Sequence, residues 1–236
     1  MSNSEMENIN FLEGSTLLIN KPLNWTSFDV VKKVRNILKT HYQIKKIKVG
    51  HAGTLDPLAD GLLILCTGKW TKKIEEFQNQ EKEYTGTFVL GATTPSYDLE
   101  TEINQTFDLS SLTEEQIRSN RNLFIGDIEQ APPIFSALKK DGVRLYEYAR
   151  KGVEIEVKKR NVNISTFEIS RIELPEIDFK IRCSKGTYIR SIAHDFGKSL
   201  DNGAYLSKLR RTKIGKFNLE DAVNLQDFES MMERSK

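Results

Sequence analysis

Apolar positions follow two different spacings along this chain, and the switches between them mark out its elements. Thr16-Leu17-Leu18-Ile19-Asn20 has the composition of a short buried strand. From Thr26 the spacing turns helical. Val30, Val31, Val34, Ile37 and Leu38 share one face, Thr26 and Asp29 stand where a helix cap belongs, and Lys32, Lys33, Arg35 and Lys39 form the other face. Leu62-Leu63-Ile64-Leu65-Cys66 is too short for a helix and suits a central strand. Residues 69–78 predict a helix, and residues 82–91 a strand whose alternation puts Tyr84, Gly86, Phe88 and Leu90 on one face.

Residues 93–102 are polar and hold Pro95, which predicts a loop or short excursion. Residues 112–122 predict a helix with Thr113 and Gln116 in capping-box spacing, and 124–129 a strand. Two prolines, a Gly142 turn and a basic tip then make residues 130–152 an excursion with few apolar anchors, expected to be mobile on its own. Alternation returns over 153–173, as one or two antiparallel strands, and over 177–183. From Ser184 a helix is expected, capped by Thr187, with Ile189, Ile192, Ala193, Phe196 and Leu200 along one side. Arg190 falls in its first turn, off that stripe, where an arginine is ordinarily solvated.

Composition narrows the class. With 236 residues, 38% of them hydrophobic, the chain supports one catalytic domain, expected over 11–236 after a disordered 1–10. It lacks a run of about eighteen apolar residues and the basic and apolar regions of a signal peptide, so a soluble, cytoplasmic protein without membrane association is expected. Cys66 and Cys183 are widely separated in apolar runs and read as packing thiols. The net charge of +2 says little about partners, but its distribution says more. Between Val30 and Leu55 lie Lys32, Lys33, Arg35, Lys39, Lys45, Lys46 and Lys48 with no acid, and a second basic segment runs from Arg182 to Lys216. The stretch from Asp98 to Glu129 is acidic. Such zoning suits a protein that presents one side to a polyanion, although solvated helix faces produce it as well.

The candidate chemistry lies in Val49-Gly50-His51-Ala52-Gly53-Thr54-Leu55-Asp56-Pro57-Leu58-Ala59-Asp60-Gly61. Pro57 fixes the backbone after the acid and the glycines before it leave room, so a rigid turn presents a single carboxylate, Asp56. A plain capping turn would have the same look. A calcium loop does not fit, because its third and twelfth places would be Leu58 and Thr67. An aspartyl nucleophile of the phosphatase type would precede Gly-Thr-Leu at a strand end, whereas Asp56 follows it.

Gly-His-Ala-Gly-Thr-Leu-Asp-Pro-Leu-Ala-Asp-Gly-Leu-Leu resembles the signature of the TruB family, tRNA pseudouridine synthases that modify uridine 55 in the TΨC loop. Other motifs follow in family order from Lys21 to Phe217. Lys21-Pro22-Leu23-Asn24-Trp25-Thr26-Ser27 is similar to Lys-Pro-x-Gly-x-Thr-Ser, with Asn24 in place of glycine, a residue that tolerates the left-handed conformation. Lys82-Glu83-Tyr84-Thr85-Gly86 resembles the motif whose tyrosine stacks on the target base. Residues 130–152 resemble the RNA-gripping insertion, with Phe135 where tyrosine is common. Lys185-Gly186-Thr187-Tyr188-Ile189-Arg190 resembles the motif whose arginine pairs with the catalytic aspartate and whose tyrosine lies by the base. Leu209-Arg210-Arg211-Thr212 resembles the Leu-Arg-Arg-Thr run.

The resemblance implies an α+β pseudouridine synthase fold, a mostly antiparallel curved mixed sheet flanked by helices, with the insertion at about 130–152. It implies Asp56, Tyr84 and Arg190 as catalytic residues and His51, Tyr188, Leu209, Lys21 and Pro22 around the substrate, with His51 filling the space left by a flipped base. Lys32, Lys33, Arg35, Arg210 and Arg211 are expected on the RNA backbone. The expected partner is the T-arm or elbow of tRNA, with no obligate protein partner. The expected reaction is an isomerisation without net redox change, so neither metal nor organic cofactor is implied. Only nineteen residues follow Phe217 (236 minus 217), too few for the PUA-like domain of many bacterial relatives, so the expected protein is a short form. An RNA-binding module or RNA chaperone without catalysis is the alternative class.

Overall fold

The computed structural model describes residues 10–153 and 155–234, so the expected disordered stretch lies, but for Asn10, outside the described residues. In chain order come β1 (Thr16–Lys21), α1 (Ser27–His41), β2 (Val49–His51), β3 (Ala59–Thr67), a 3-10 helix (Gly68–Lys73), α2 (Ile74–Gln78) and β4 (Lys82–Leu90). The short strands β5 (Ala92–Thr93) and β6 (Gln105–Thr106) follow, then α3 (Glu114–Asn120) and β7 (Gly126–Gln130). Next are β8 (Lys139–Lys140), β9 (Val143–Arg144), α4 (Leu145–Arg150), β10 (Arg160–Glu173), β11 (Glu176–Cys183) and α5 (Ile189–Ser199). Last come β12 (Ala204–Ile214), β13 (Phe217–Asn218) and α6 (Leu225–Arg234). Two compact units are formed, one by the residues up to Tyr84 with those from Leu209 on, the other by Thr85–Lys208.

In the first unit β3 pairs antiparallel with β1 (Leu18 opposite Ile64) and β2 (His51 opposite Leu65), and parallel with β12 (Leu209 opposite Ala59). Its alternation explains the unbroken apolar run. Leu63 and Leu65 enter a cluster with Val30, Val34 and Leu38 of α1 and Phe228 and Met231 of α6, while Leu62, Ile64 and Cys66 join Leu18, Phe77 and Ile214 on the other face. A strand buried on both faces needs apolar residues at every position, each stabilising by about 1.5–3 kcal/mol. Thr26 and Asp29 form the expected capping box at the start of α1. Asn24 adopts a φ of 64°, the left-handed conformation for which asparagine is suited. Gly61 has a φ of 103°, and a Cβ there would strike the Arg211 backbone, so only glycine fits.

In the second unit the strand order runs from residues 85–90 of β4 through β11 and β10 to β7. β10 and β11 form a long antiparallel hairpin, and β7 lies antiparallel along the start of β10. Phe88, Phe124, Phe167, Phe179 and Phe196 pack together, with Phe88 and Phe179 ring centroids 4.2 Å apart. Ile189, Ile192, Ala193 and Phe196 give α5 the buried side its spacing predicted. The capping box of Thr113 and Gln116 at α3 is present as well.

Four features differ from the sequence expectation. Among the described residues the alternating stretch becomes a strand only at Arg160, whose ladder partner is Gln130, the last residue of β7. The N-cap of α5 is Tyr188, since the Thr187 hydroxyl donates to the Ser184 carbonyl instead. The Leu-Arg-Arg-Thr run is the middle of the long strand β12, and residues 225–234 form α6, neither of which the pattern announced. Cys66 and Cys183 are buried as expected, and burial pushes the Cys66 thiol up to about 11. No helix among the described residues is long and apolar enough to cross a membrane.

Candidate active site

Asp56 lies three residues before β3, in a loop held from two sides. The Ser27 hydroxyl accepts from the Leu55 N–H at 2.8 Å and donates to the Leu55 carbonyl at 3.1 Å, and Ser27 is buried. The Asn24 N–H donates to the Pro57 carbonyl at 2.8 Å, so the Lys-Pro turn and the aspartate loop are bolted together. Opposite, the Arg211 Nη2 donates to the Gly53 carbonyl at 3.0 Å and its Nε to the Leu62 carbonyl at 2.8 Å. A loop whose backbone polar groups are satisfied this way presents its carboxylate in one position.

The surrounding groups are charged and poorly hydrated. Lys21, fully buried, donates to the Pro22 carbonyl at 3.0 Å and the Trp25 carbonyl at 2.6 Å. Burial lowers its pKa to about 8, against the opposing pull of the Asp60 and Asp56 carboxylates. His51 is pushed below the ordinary histidine range, first by burial and then by the Arg211 charge, which favours the neutral imidazole near pH 7. Leu209 pairs with Ala59 in the β3–β12 register, three positions beyond Asp56, and Tyr84 is buried on β4. Thus Lys21, Pro22, His51, Asp56, Tyr84 and Leu209 all belong to the first unit.

Arg190 and Tyr188 belong to the second unit. Arg190 is 4% exposed, contrary to the solvated position its helical spacing suggested. Its Nη1 stands 3.4 Å from Asp98 Oδ2 and donates to the Ser96 carbonyl at 3.3 Å. Asp98, itself buried, accepts from the Glu100 N–H at 2.9 Å. Beside it Tyr97 has a φ of 64° and stacks on His194 with 4.0 Å between ring centroids. Sequence reasoning missed Asp98, since an acid in a polar loop carries no periodic signal.

The expected RNA-backbone group divides. Lys32 is exposed, Lys33 is paired with Glu229 at 2.6 Å, and Arg35 donates to the Val49 carbonyl. Arg210 forms a two-point pair with Asp60, at 2.9 and 2.6 Å, on the surface. Arg211 is a correction. Only 1% exposed and spent on two carbonyls, it braces the Asp56 loop and has no face for a phosphate. Strand parity is the reason, because neighbours on β12 point to opposite sides. No group of three or more His, Cys, Asp or Glu side chains able to hold a metal ion occurs among the described residues.

A mixed sheet flanked by helices, with a braced Gly-Thr-Leu-Asp loop at the entrance of a central strand, is the arrangement of a pseudouridine synthase. Residues 35–189 match the family described as TruB family pseudouridylate synthase (N terminal domain), and residues 190–236 match that described as tRNA pseudouridylate synthase B C-terminal domain. The chain belongs to the TruB family of pseudouridylate synthases. It is 58% identical to a protein from Flavobacterium johnsoniae named tRNA pseudouridine synthase B, over 94% of this chain and 98% of that one. A protein of the same name from Phocaeicola vulgatus is 50% identical, over 96% of each. Among solved structures, a chain of a Cbf5-Nop10-Gar1 complex superposes with a TM-score of 0.71 at 28% identity, over 96% of this chain and 55% of that one. A chain of the archaeal box H/ACA sRNP Nop10-Cbf5 complex, 24% identical with a TM-score of 0.68, shares the fold over 97% of this chain and 57% of its own. The present chain spans a little over half the length of these two solved chains.

Proposed function

We propose that this protein isomerises uridine 55 in the TΨC loop of tRNA to pseudouridine, with Asp56 as the catalytic carboxylate acting on a flipped-out base. The observation that carries the reading is the Asp56 loop, braced by Ser27 and Arg211 in a family of pseudouridylate synthases whose named relatives act on tRNA. Residues 11–236 are the catalytic domain, with 130–152 as its RNA-gripping insertion.

The reaction breaks the bond between uracil N1 and ribose C1′ and forms one from C5 to C1′, while the proton leaves C5 and N1 gains one. As the base departs, the ribose carbon becomes electron-poor, and a fixed carboxylate attacks it, stabilises it or takes the neighbouring proton. That role is assigned to Asp56. Tyr84 stacks on the uracil and manages the proton at C5, Arg190 is the catalytic arginine, and Tyr188 and Leu209 bound the base. His51, neutral near pH 7, fills the stack after flipping without placing a cation near the developing positive charge at C1′.

The test is incubation of the protein with an unmodified tRNA transcript, followed by mapping of pseudouridine. One modified position, uridine 55, is expected. Absence of pseudouridine would support the binding-module alternative, and modification elsewhere would overturn the site assignment.

A further inference from the structure

The start of α5 is fixed by a side chain from another strand. Tyr188, the N-cap residue, has no side-chain cap of its own. Its backbone is instead clasped by the Gln130 carboxamide, whose Oε1 accepts from the Tyr188 N–H at 2.8 Å while its Nε2 donates to the Tyr188 carbonyl at 3.0 Å. Gln130 is 1% exposed. The clasp copies a strand-ladder pair for a residue outside any strand, so it fixes both the position and the direction of the backbone at Tyr188. The same carbonyl also accepts the Ile192 N–H at 3.2 Å, which aligns the first helical turn to the clasp. A second tie runs beside it, the buried Ser191 hydroxyl donating to the Ala131 carbonyl at 2.7 Å.

The ring of Tyr188 is held as well. The Arg160 guanidinium lies 4.6 Å from its centroid, and Arg160 is the ladder partner of Gln130. The Nε and Nη2 of Arg160 are buried without a hydrogen bond among the described residues. A guanidinium held with no hydrogen bond at two of its nitrogens is held by the aromatic face, and its charge and flatness are used on the tyrosine. Gly186 lies against the same group, where a Cβ would stand 3.5 Å from Nη1.

We infer that Gln130 and Arg160 are positioning residues for pseudouridine formation, which fix Tyr188 by backbone and ring and thereby set the first turn of α5 that carries Arg190. The inference rests on the reading of Tyr188 and Arg190 as residues of the active site. It also gives the insertion a mechanical root. Gln130 and Ala131 are its first two residues, so the segment expected to grip RNA starts at the point that fixes Tyr188.

Gln130→Ala, Arg160→Met and Arg190→Met, alone and in pairs with Arg190→Met, separate the possibilities by single-turnover conversion of an unmodified tRNA transcript, with tRNA Kd and Tm measured alongside. Gln130→Ala and Arg160→Met are each expected to lower the saturating rate about tenfold or more, with Kd within about threefold, because misplacement by a fraction of an ångström acts on the chemical step. Arg160→Lys, which restores a cation over the ring, should recover part of the loss. In the Arg190→Met background the further loss should shrink, because the share that acts through Arg190 is already gone while the share that acts through Tyr188 stays. Unchanged saturating rates in the folded single variants, or losses that persist in full without Arg190, would overturn the proposal. Should Gln130→Ala melt below the assay temperature, Gln130→Glu, which keeps the acceptor for the Tyr188 N–H, is read in its place. A wild-type rate in Arg190→Met would overturn the reading of Arg190, and the proposal with it.

Discussion

Lys21 shows how much a single residue of this site departs from its ordinary behaviour. Its ammonium is buried against two carbonyls, and burial holds its pKa at about 8, below the usual 10.5. The folded state therefore gives up this proton before the unfolded chain does. Between about pH 8 and 10.5 the unfolded chain binds more protons, so this group's contribution to stability rises with pH across that window and is flat below it. A Lys21→Met variant should lack that increment, so that between about pH 7.5 and 9.5 its Tm rises less, or falls more, than that of wild type. Parallel curves for the two proteins would contradict the buried, poorly hydrated ammonium. Nothing in the sequence announces this, since a lysine before proline at a turn is commonly exposed. Asp56, by contrast, stands out in the sequence as a candidate, because a glycine-flanked acid before proline restricts the backbone whatever surrounds it.

At the scale of the elements, local chemistry was readable and pairing was not. Thr26 with Asp29 and Thr113 with Gln116 form their capping boxes as their spacing demanded, and β3 is apolar throughout because clusters cover both its faces. β12 was hidden. Ala204–Ile214 carries Lys208, Arg210, Arg211 and Lys213, which reads as a basic surface until the strand turns Arg211 inward to the Gly53 and Leu62 carbonyls. The cap of α5 was misplaced for a related reason, its satisfaction coming from Gln130, 58 positions away in the chain. Such long-range partners leave no periodic trace. The same logic predicts a cost for cutting one brace of the aspartate loop. Ser27→Ala leaves the buried Leu55 N–H and carbonyl without their partner, at about 1–3 kcal/mol. In a protein of this length that lowers Tm by roughly 2–12 °C, and the single-turnover rate should fall with it. A variant with wild-type Tm and rate would show that the loop is held by other means.

For the molecule as a whole, charge placement sets how RNA is held. A net charge of +2 provides little general attraction, so binding depends on the basic segments. Arg211 drops out of that count, and Lys33 and Arg210 already hold carboxylates that a phosphate must displace. Of the expected RNA-backbone residues Lys32, Lys33, Arg35 and Arg210 remain, and Lys213 and Lys216 beside them bring the cations taken for the estimate to six. Six phosphate contacts on RNA give a slope of log binding constant against log salt of about −4 (six times about −0.7). Neutralising Lys32, Lys33 and Arg35 together should flatten it by about 2 and weaken binding, whereas Arg211→Gln should leave the slope alone and lower Tm. A slope near zero in the wild type would remove the electrostatic account of binding.

The claim on which all of this turns is that Asp56 performs the chemistry, and Asp56→Asn tests it most directly. The substitution keeps the shape of the side chain while removing its charge and most of its nucleophilicity. Single-turnover conversion of uridine 55 in a saturating excess of the purified variant is expected to fall by at least about 10³-fold, roughly 4 kcal/mol of transition-state stabilisation. The tRNA Kd should move by no more than about tenfold, about 1.4 kcal/mol, and Tm should hold, because grip and fold rest on other residues. Pseudouridine formed at near the wild-type rate by Asp56→Asn would place the reactive group elsewhere and contradict the account.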